Sequence, residues 1–423
     1  MKNRIINLIL IVSISISFSF LSSCEKETYY PPSNTDELYS IMNEWYYWID
    51  SIPDIDPDNY SSPDDLLEAM RYNDKDKWSY ITSQEAFTQY YEEGTYIGYG
   101  FSYTLDAENN VRITFLFDDS DFNTVGVQRG WIIKKINGSI VDGNLNLGGF
   151  LGNNAIGVSN EFEFETPAGG DTTLTFEKKL IAMNTVGYDK VYDVGTNKVG
   201  YFVFKSFIGP SIAELTETFN SFLTEGVNEL IIDLRYNGGG QLNVVEHIAN
   251  HIIPDNVNGE LLVKIEHNTD RSGENNSKYF IQNGSSLKLN KVYFITSKGS
   301  ASASEVIINS LDPFIDVFIV GDDTYGKPVG MYAFESRINN MVYVPISFKL
   351  VNAVGFGGYY NGLTADSYVS DDISSNFGIG EAIFDEVIYH IENGSFSSSK
   401  SSEEIFRRPF KEIRNIKDEL GAI

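Results

Sequence analysis

By type and spacing, Ser302 and Lys327 are the residues of this chain best suited to do chemistry. Ser300-Ala301-Ser302-Ala303-Ser304-Glu305 follows an apolar, strand-like run, and Gly326-Lys327 comes later in a glycine-flanked loop. A serine hydroxyl is a weak nucleophile until a base takes its proton. The chain has only four histidines to offer one. A lysine fixed in a loop is the alternative, because burial lowers a lysine pKa toward a value useful for proton abstraction. The pair points to a serine hydrolase that works without histidine. Ser302 and Glu305 also fit a capping box at a helix start. The two roles are compatible, since the positive end of a helix dipole stabilises developing negative charge.

A second signal is Ile231-Ile232-Asp233-Leu234-Arg235-Tyr236-Asn237-Gly238-Gly239-Gly240, a buried strand running into three glycines and then a helix. Glycines let backbone N–H groups turn into a cavity at angles other residues resist. Such a nest can hold an oxyanion. A phosphate site fits poorly, because no Gly-Lys-Ser/Thr follows and the spacing is not GxGxxG. A tight turn without a ligand is the plain alternative. Asp233 and Arg235 read as anchors of the strand end and stay outside the catalytic set. His247 and His251 share a helix face beside Glu246, but no HExxH pattern forms, so they read as ordinary helix-face residues. Neither a metal nor a cofactor is expected.

These residues need elements to position them. From Asp36 to about Glu93 apolar residues recur at helical spacing: Leu38, Ile41, Met42, Trp45, Trp48 and Ile49 form one stripe. This predicts a small N-terminal helical domain over 35–93, with Trp45-Tyr46-Tyr47-Trp48 in its core. Residues 94–182 read as a mostly-β module, with strands at Thr95 to Tyr103, Val111 to Phe117 and Asp171 to Leu180. From 183 to 423 strands and helices alternate, which predicts an α/β domain with a largely parallel sheet. Ser395 to Ser402 is a serine-rich stretch before a terminal helix.

Composition sets the compartment. Met1-Lys2-Asn3-Arg4, an apolar run from Ile5 to Leu21 and Leu21-Ser22-Ser23-Cys24 have the form of a lipoprotein signal over 1–24. Cys24 is the lipidation site, and 25–34 is a polar tether. Expected is a chain anchored by lipid in a bacterial cell envelope, at the outer membrane, with no membrane span. As the only cysteine, Cys24 leaves the mature chain without an internal disulfide, a thiolate cluster or a catalytic thiol. A net charge of −28 excludes a nucleic-acid partner, which would need clustered Lys and Arg.

Taken together, Ser300 to Glu305, Tyr325-Gly326-Lys327, Asp233 to Gly240 and Gly126-Val127-Gln128-Arg129-Gly130-Trp131-Ile132-Ile133-Lys134-Lys135-Ile136-Asn137-Gly138 resemble the C-terminal processing peptidases, also called tail-specific proteases. The resemblance implies a crotonase- and ClpP-like ββα peptidase core with an inserted PDZ domain. It implies Ser302 as nucleophile, Lys327 as general base, and oxyanion donors on the N–H of Ala303 and of a glycine in the run, taken as Gly239. Ile97-Gly98-Tyr99-Gly100-Phe101 looks like the carboxylate-binding loop and first strand of a PDZ module, which makes Gly98, Tyr99, Gly100 and Phe101 the expected substrate contacts. PDZ modules add an extended chain to a sheet edge, so the partners would be C-terminal tails of proteins or peptides. One departure stands out: many members carry a glutamine four residues after the lysine that orients it, and this chain has Met331. The reading is a membrane-anchored serine endopeptidase acting through an acyl-enzyme. The alternative is a catalytically inactive scaffold that holds peptides in the PDZ groove. A Ser-Lys hydrolase of non-peptide acyl groups would fit the dyad alone and leave the β module unexplained.

Overall fold

A computed structural model of the chain describes residues 33–141, 147–282 and 284–397. Cys24, most of the tether and the expected terminal helix lie outside the described residues. Among the described residues no helix is long and apolar enough to cross a membrane.

The core is a six-stranded sheet in the order Val186–Val194, Asn197–Phe204, Glu229–Asp233, Lys291–Thr296, Asp316–Gly321, Ser367–Tyr368. Its first pair is an antiparallel hairpin and every later pair is parallel. Leu230 to Ile232 and Val292 to Ile295 are continuous apolar runs because both faces of this sheet are covered. On one face Phe202, Phe204, Leu230, Ile232 and Phe294 pack with the helices Ser211–Glu225, Leu242–Ile252 and Ala303–Leu311. On the other, Tyr201, Val203, Ile231, Tyr293 and Ile295 pack with Ile383, Phe384 and Val387 of the helix Ala382–Asn393. The side chains alternate along each strand, as the period of two requires. A second, antiparallel sheet joins Asn276–Tyr279, Leu261–Glu266, Ile346–Val351 and Val329–Met331.

The N-terminal region departs from the all-helical expectation. Helices Asn34–Trp45 and Pro63–Met70 form, each opened by a serine that accepts a backbone N–H. Tyr80–Ser83 is instead a strand, paired antiparallel with Met341–Val344. Its Ile81-Thr82 pair suits the pleated surface of a sheet. Leu38, Met42, Tyr46, Leu66 and Met70 bury against Val329, Tyr343 and Ile346 rather than only against each other. The apolar stripe is real, but much of what it packs on is the α/β core.

In the β module the sheet runs Phe101–Leu105, Val111–Leu116, Ile132–Ile136, Ser159–Glu165, Asp171–Glu177. Phe101–Leu105 is an edge strand. The single strand expected from Thr95 to Tyr103 is broken: Thr95–Gly98 pairs with Lys179–Ala182, and the next strand starts at Phe101. The break needs Gly100, whose φ is +80° and whose missing Cβ would press on Ser120.

Candidate active site

Ser302 sits where the strand Lys291–Thr296 gives way to the helix Ala303–Leu311. Its φ of 56° and ψ of −116° are rare for a residue with a side chain, and surrounding bonds must enforce them. Ser300 Oγ donates to Leu234 O at 2.7 Å, Ala301 N–H to Asn237 O at 3.1 Å, and Ser304 Oγ to the same oxygen at 2.9 Å. The serine repeat therefore pins the loop to the neighbouring strand end and leaves the middle serine, half-buried, at the helix start.

Glu305 does more than cap. It is fully buried, and its carboxylate accepts four neutral donors. Oε2 takes the Ser302 N–H at 2.9 Å and the Lys327 N–H at 2.8 Å; Oε1 takes the Gly326 N–H and the Thr324 hydroxyl, both at 2.6 Å. Burial pushes its carboxyl above the usual glutamate range, while the donated bonds pull it back. Sequence reasoning saw only the local half of this role.

The loop that carries Lys327 is fixed, as its glycine and proline imply. Gly326 has φ +103°, and a Cβ there would come 2.4 Å from Tyr360 O. Thr324 N–H donates to Leu363 O, and Tyr325 N–H to Ser300 O. Lys327 Nζ lies 3.2 Å from Met331 Sδ and 5.8 Å from the centre of the Trp78 ring. Trp78 belongs to the N-terminal region and also meets Tyr325 edge-on. No sequence signal tied Trp78 to the site, because its approach depends on the strand that follows it.

The glycine run closes against the Ser302 loop, and here one expectation meets a competing bond. A Cβ on Gly239 would lie 2.8 Å from both Ser302 Cβ and Ala303 N, so only glycine fits. Its own N–H, however, donates to Asn237 Oδ1 at 2.8 Å and is not turned toward an oxyanion. Gly238 is exposed beside it. Asn237 is the fastener the sequence concealed: fully buried, it donates to Phe204 O and accepts from Gly239, Ala301 and Ser304.

Asp233 and Arg235 are structural, as read. Arg235 is fully buried and bonds Asp233, Asp371 and both carboxylate oxygens of Glu381. Burial opposes its charge, but those three carboxylates outweigh burial and hold the guanidinium charged. Arg129, from the segment Gly126 to Gly138 of the β module, joins the same cluster. It donates to Tyr236 Oη at 2.6 Å, Asp371 at 2.8 Å and Ser375 O at 2.9 Å.

Of the four expected substrate contacts, two side chains point elsewhere. Phe101 and Tyr99 are buried among Phe122 and Phe162 in the core of the β module. The Tyr99 hydroxyl donates to Val158 O. The backbone of the four is partly engaged as well: Gly98 pairs with Lys179, Phe101 with Leu116, and the Tyr99 and Gly100 carbonyls accept from Ser120 Oγ and the Phe117 N–H. His247 and His251 are helix-face residues: His247 Nε2 meets Thr216 Oγ1, and His251 Nδ1 the His247 carbonyl. Among the described residues no group of three or more His, Cys, Asp or Glu is placed to hold a metal.

A family profile described as "Peptidase family S41" matches residues 198–367, and one described as "Peptidase S41 N-terminal domain" matches 35–80. The carboxy-terminal processing protease CtpA of Bacillus subtilis is 24% identical over 299 residues, covering 70% of this chain and 61% of the relative. Staphylococcal relatives are covered to 56% of their length, so the chain spans little more than half of the curated proteins it matches. Among solved structures, a Bacteroides fragilis protein assigned to the S41 proteases superposes with a TM-score of 0.70 at 22% identity, over 87% of this chain and 99% of the other. The photosystem II D1 C-terminal processing protease gives a TM-score of 0.50 at 17% identity, over 79% and 92%.

Proposed function

Because the chain belongs to peptidase family S41, the family of the C-terminal processing proteases, we propose that it is a serine endopeptidase with Ser302 as nucleophile and Lys327 as base. The observation that carries this reading is the Glu305 carboxylate, one oxygen of which accepts the backbone N–H of both residues. Nucleophile and base thus ride on two loops fastened to one atom.

Neutral Lys327 accepts the Ser302 proton as Oγ bonds to the substrate carbonyl carbon. The carbonyl oxygen becomes an oxyanion, received by the N–H of Ala303 at the positive end of its helix and by that of Gly238. Collapse expels the amine, which leaves with the proton from Lys327, and an acyl-enzyme remains on Ser302. Water then gives a proton to Lys327 as it adds to the acyl carbonyl; collapse breaks the ester bond, the Lys327 proton returns to Ser302 Oγ, and the acid is released.

The PDZ-like module supplies substrate. The edge strand Phe101–Leu105 can receive an extended tail as an added strand, with backbone amides of the preceding loop meeting its terminal carboxylate. Cys24 anchors the chain by lipid to the outer membrane of a bacterial envelope.

The test is direct. A serine-reactive probe labels the wild type, and Ser302→Ala and Lys327→Ala abolish the label; labelling that persists at another serine removes the assignment. Amidating the C-terminus of an unfolded substrate slows its digestion, and equal rates would remove tail recognition. Cys24→Ser abolishes incorporation of an alkynyl fatty acid; unchanged incorporation would remove the anchor. The scaffold reading drew its force from Met331. Wild type that binds unstructured tails and never cleaves them would favour it.

A further inference from the structure

The position that departs from the family pattern is the one whose side chain meets the lysine. Met331 ends the strand Val329–Met331, which pairs with Ile346–Val351 through a register shift between Gly330 and Met331. Gly330 is forced at this point, since a Cβ there would collide with the Phe348 ring. The shift and the glycine together place the next side chain. Its thioether sulfur lies 3.2 Å from Lys327 Nζ. The rest of the Met331 side chain packs on the apolar cluster of Leu38, Met42, Tyr46, Val329 and Tyr343. The sulfur is therefore held from behind by the core and faces the amine.

We propose that Met331 is the positioning residue of Lys327, its thioether doing through a weak sulfur contact what an amide oxygen does elsewhere in the family. This rests on the Ser302–Lys327 reading above. A lysine stem has four rotatable bonds, and a base must be aimed at one hydroxyl to act. A thioether is a weak acceptor but a polarisable one, and an unbranched side chain reaches the amine without a branch to crowd it. The Trp78 ring bounds the same amine, 5.8 Å from its centre. Such a hold gives the amine a direction.

Three variants decide it, all on the full chain. Met331→Leu keeps the apolar volume and removes the acceptor, a swap cores tolerate well. Expected is a fall in Ser302 labelling rate and in kcat of about 10-fold or more, with KM within twofold and the melting temperature nearly unchanged, because only aim is lost. Met331→Gln restores an acceptor of similar reach and returns both rates to within about threefold of wild type. Met331→Leu that labels and turns over like the wild type overturns the proposal while leaving the dyad intact. So does Met331→Gln that falls as far as Met331→Leu, since that would mean packing matters and the acceptor does not. Lys327→Ala that labels as fast as wild type removes the dyad itself and the proposal with it.

Discussion

Two junctions hold the parts of this molecule together, and they use opposite chemistry. Around Glu305 a single buried carboxylate gathers four neutral donors from two loops. Around Arg235 two guanidinium groups and three carboxylates join the end of the strand Glu229–Asp233, the segment 371–381 and the β module through Arg129. The first is directional: each bond fixes one backbone atom, and the product is orientation. The second is a lattice of charge in which each member excuses the burial of the others, and the product is cohesion. Breaking the first costs hydrogen bonds, while breaking the second strands charges.

The difference should be largest at Arg235. Arg235→Met leaves Asp233 and Glu381 buried without their main partner, a loss of about 3–5 kcal/mol by analogy with other broken buried pairs. Urea denaturation measures it, and a loss under about 1 kcal/mol would show that the cluster is not cohesive in the sense argued. At Glu305 the order of effects reverses. Glu305→Gln turns one acceptor into a donor facing donors, costs about 1–3 kcal/mol, and slows Ser302 labelling on the order of 100-fold. Equal loss of stability with no change in labelling rate would sink the claim that this junction orients. Arg129→Ala should be milder than Arg235→Met, at about 1–3 kcal/mol, because Asp371 keeps Arg235. A small probe should still label Ser302 at the wild-type rate in that variant. A slowed probe would mean that the two junctions are not separable.

The smallest effect belongs to neither junction and calibrates both. Burial, with the neighbouring His251 charge, lowers the His247 pKa to about 4. The unfolded chain binds this proton near the ordinary histidine value and the folded chain only near 4. Stability is therefore complete above the ordinary value and declines as pH falls toward 4. His247→Gln should flatten that part of the profile, and an unchanged slope would place the titration elsewhere.

What could be read from the sequence was local. The Ser302–Glu305 box, the buried runs at Leu230 and Val292 and the fixed loop around Gly326 each follow from a few adjacent residues. Everything that depended on a distant partner was hidden. Tyr80–Ser83 looked helical because the strand that pairs with it begins only at Met341. Tyr99 and Phe101 were assigned to substrate because Ile97 to Phe101 looks like a PDZ carboxylate-binding loop and first strand, a likeness that does not say which face is inside, and their side chains belong to the core. The Gly239 N–H was lost to a side-chain bond two residues away, a matter of one rotamer that composition cannot reveal. Met331 was visible only as a missing glutamine; its sulfur needed coordinates.

The pairing of Tyr80–Ser83 with Met341–Val344 also has a consequence in time. The segment that contains Trp78 emerges early in synthesis, yet its partner strand is among the later parts of the chain to appear. A contact of such long sequence separation forms late, after the loop between its ends has been closed. The ring beside Lys327 thus depends for its place on a strand more than 250 residues away in the sequence. The wall beside Lys327 is therefore built from both ends of the chain, and a fragment that ends before Met341 lacks the strand that seats Trp78's segment.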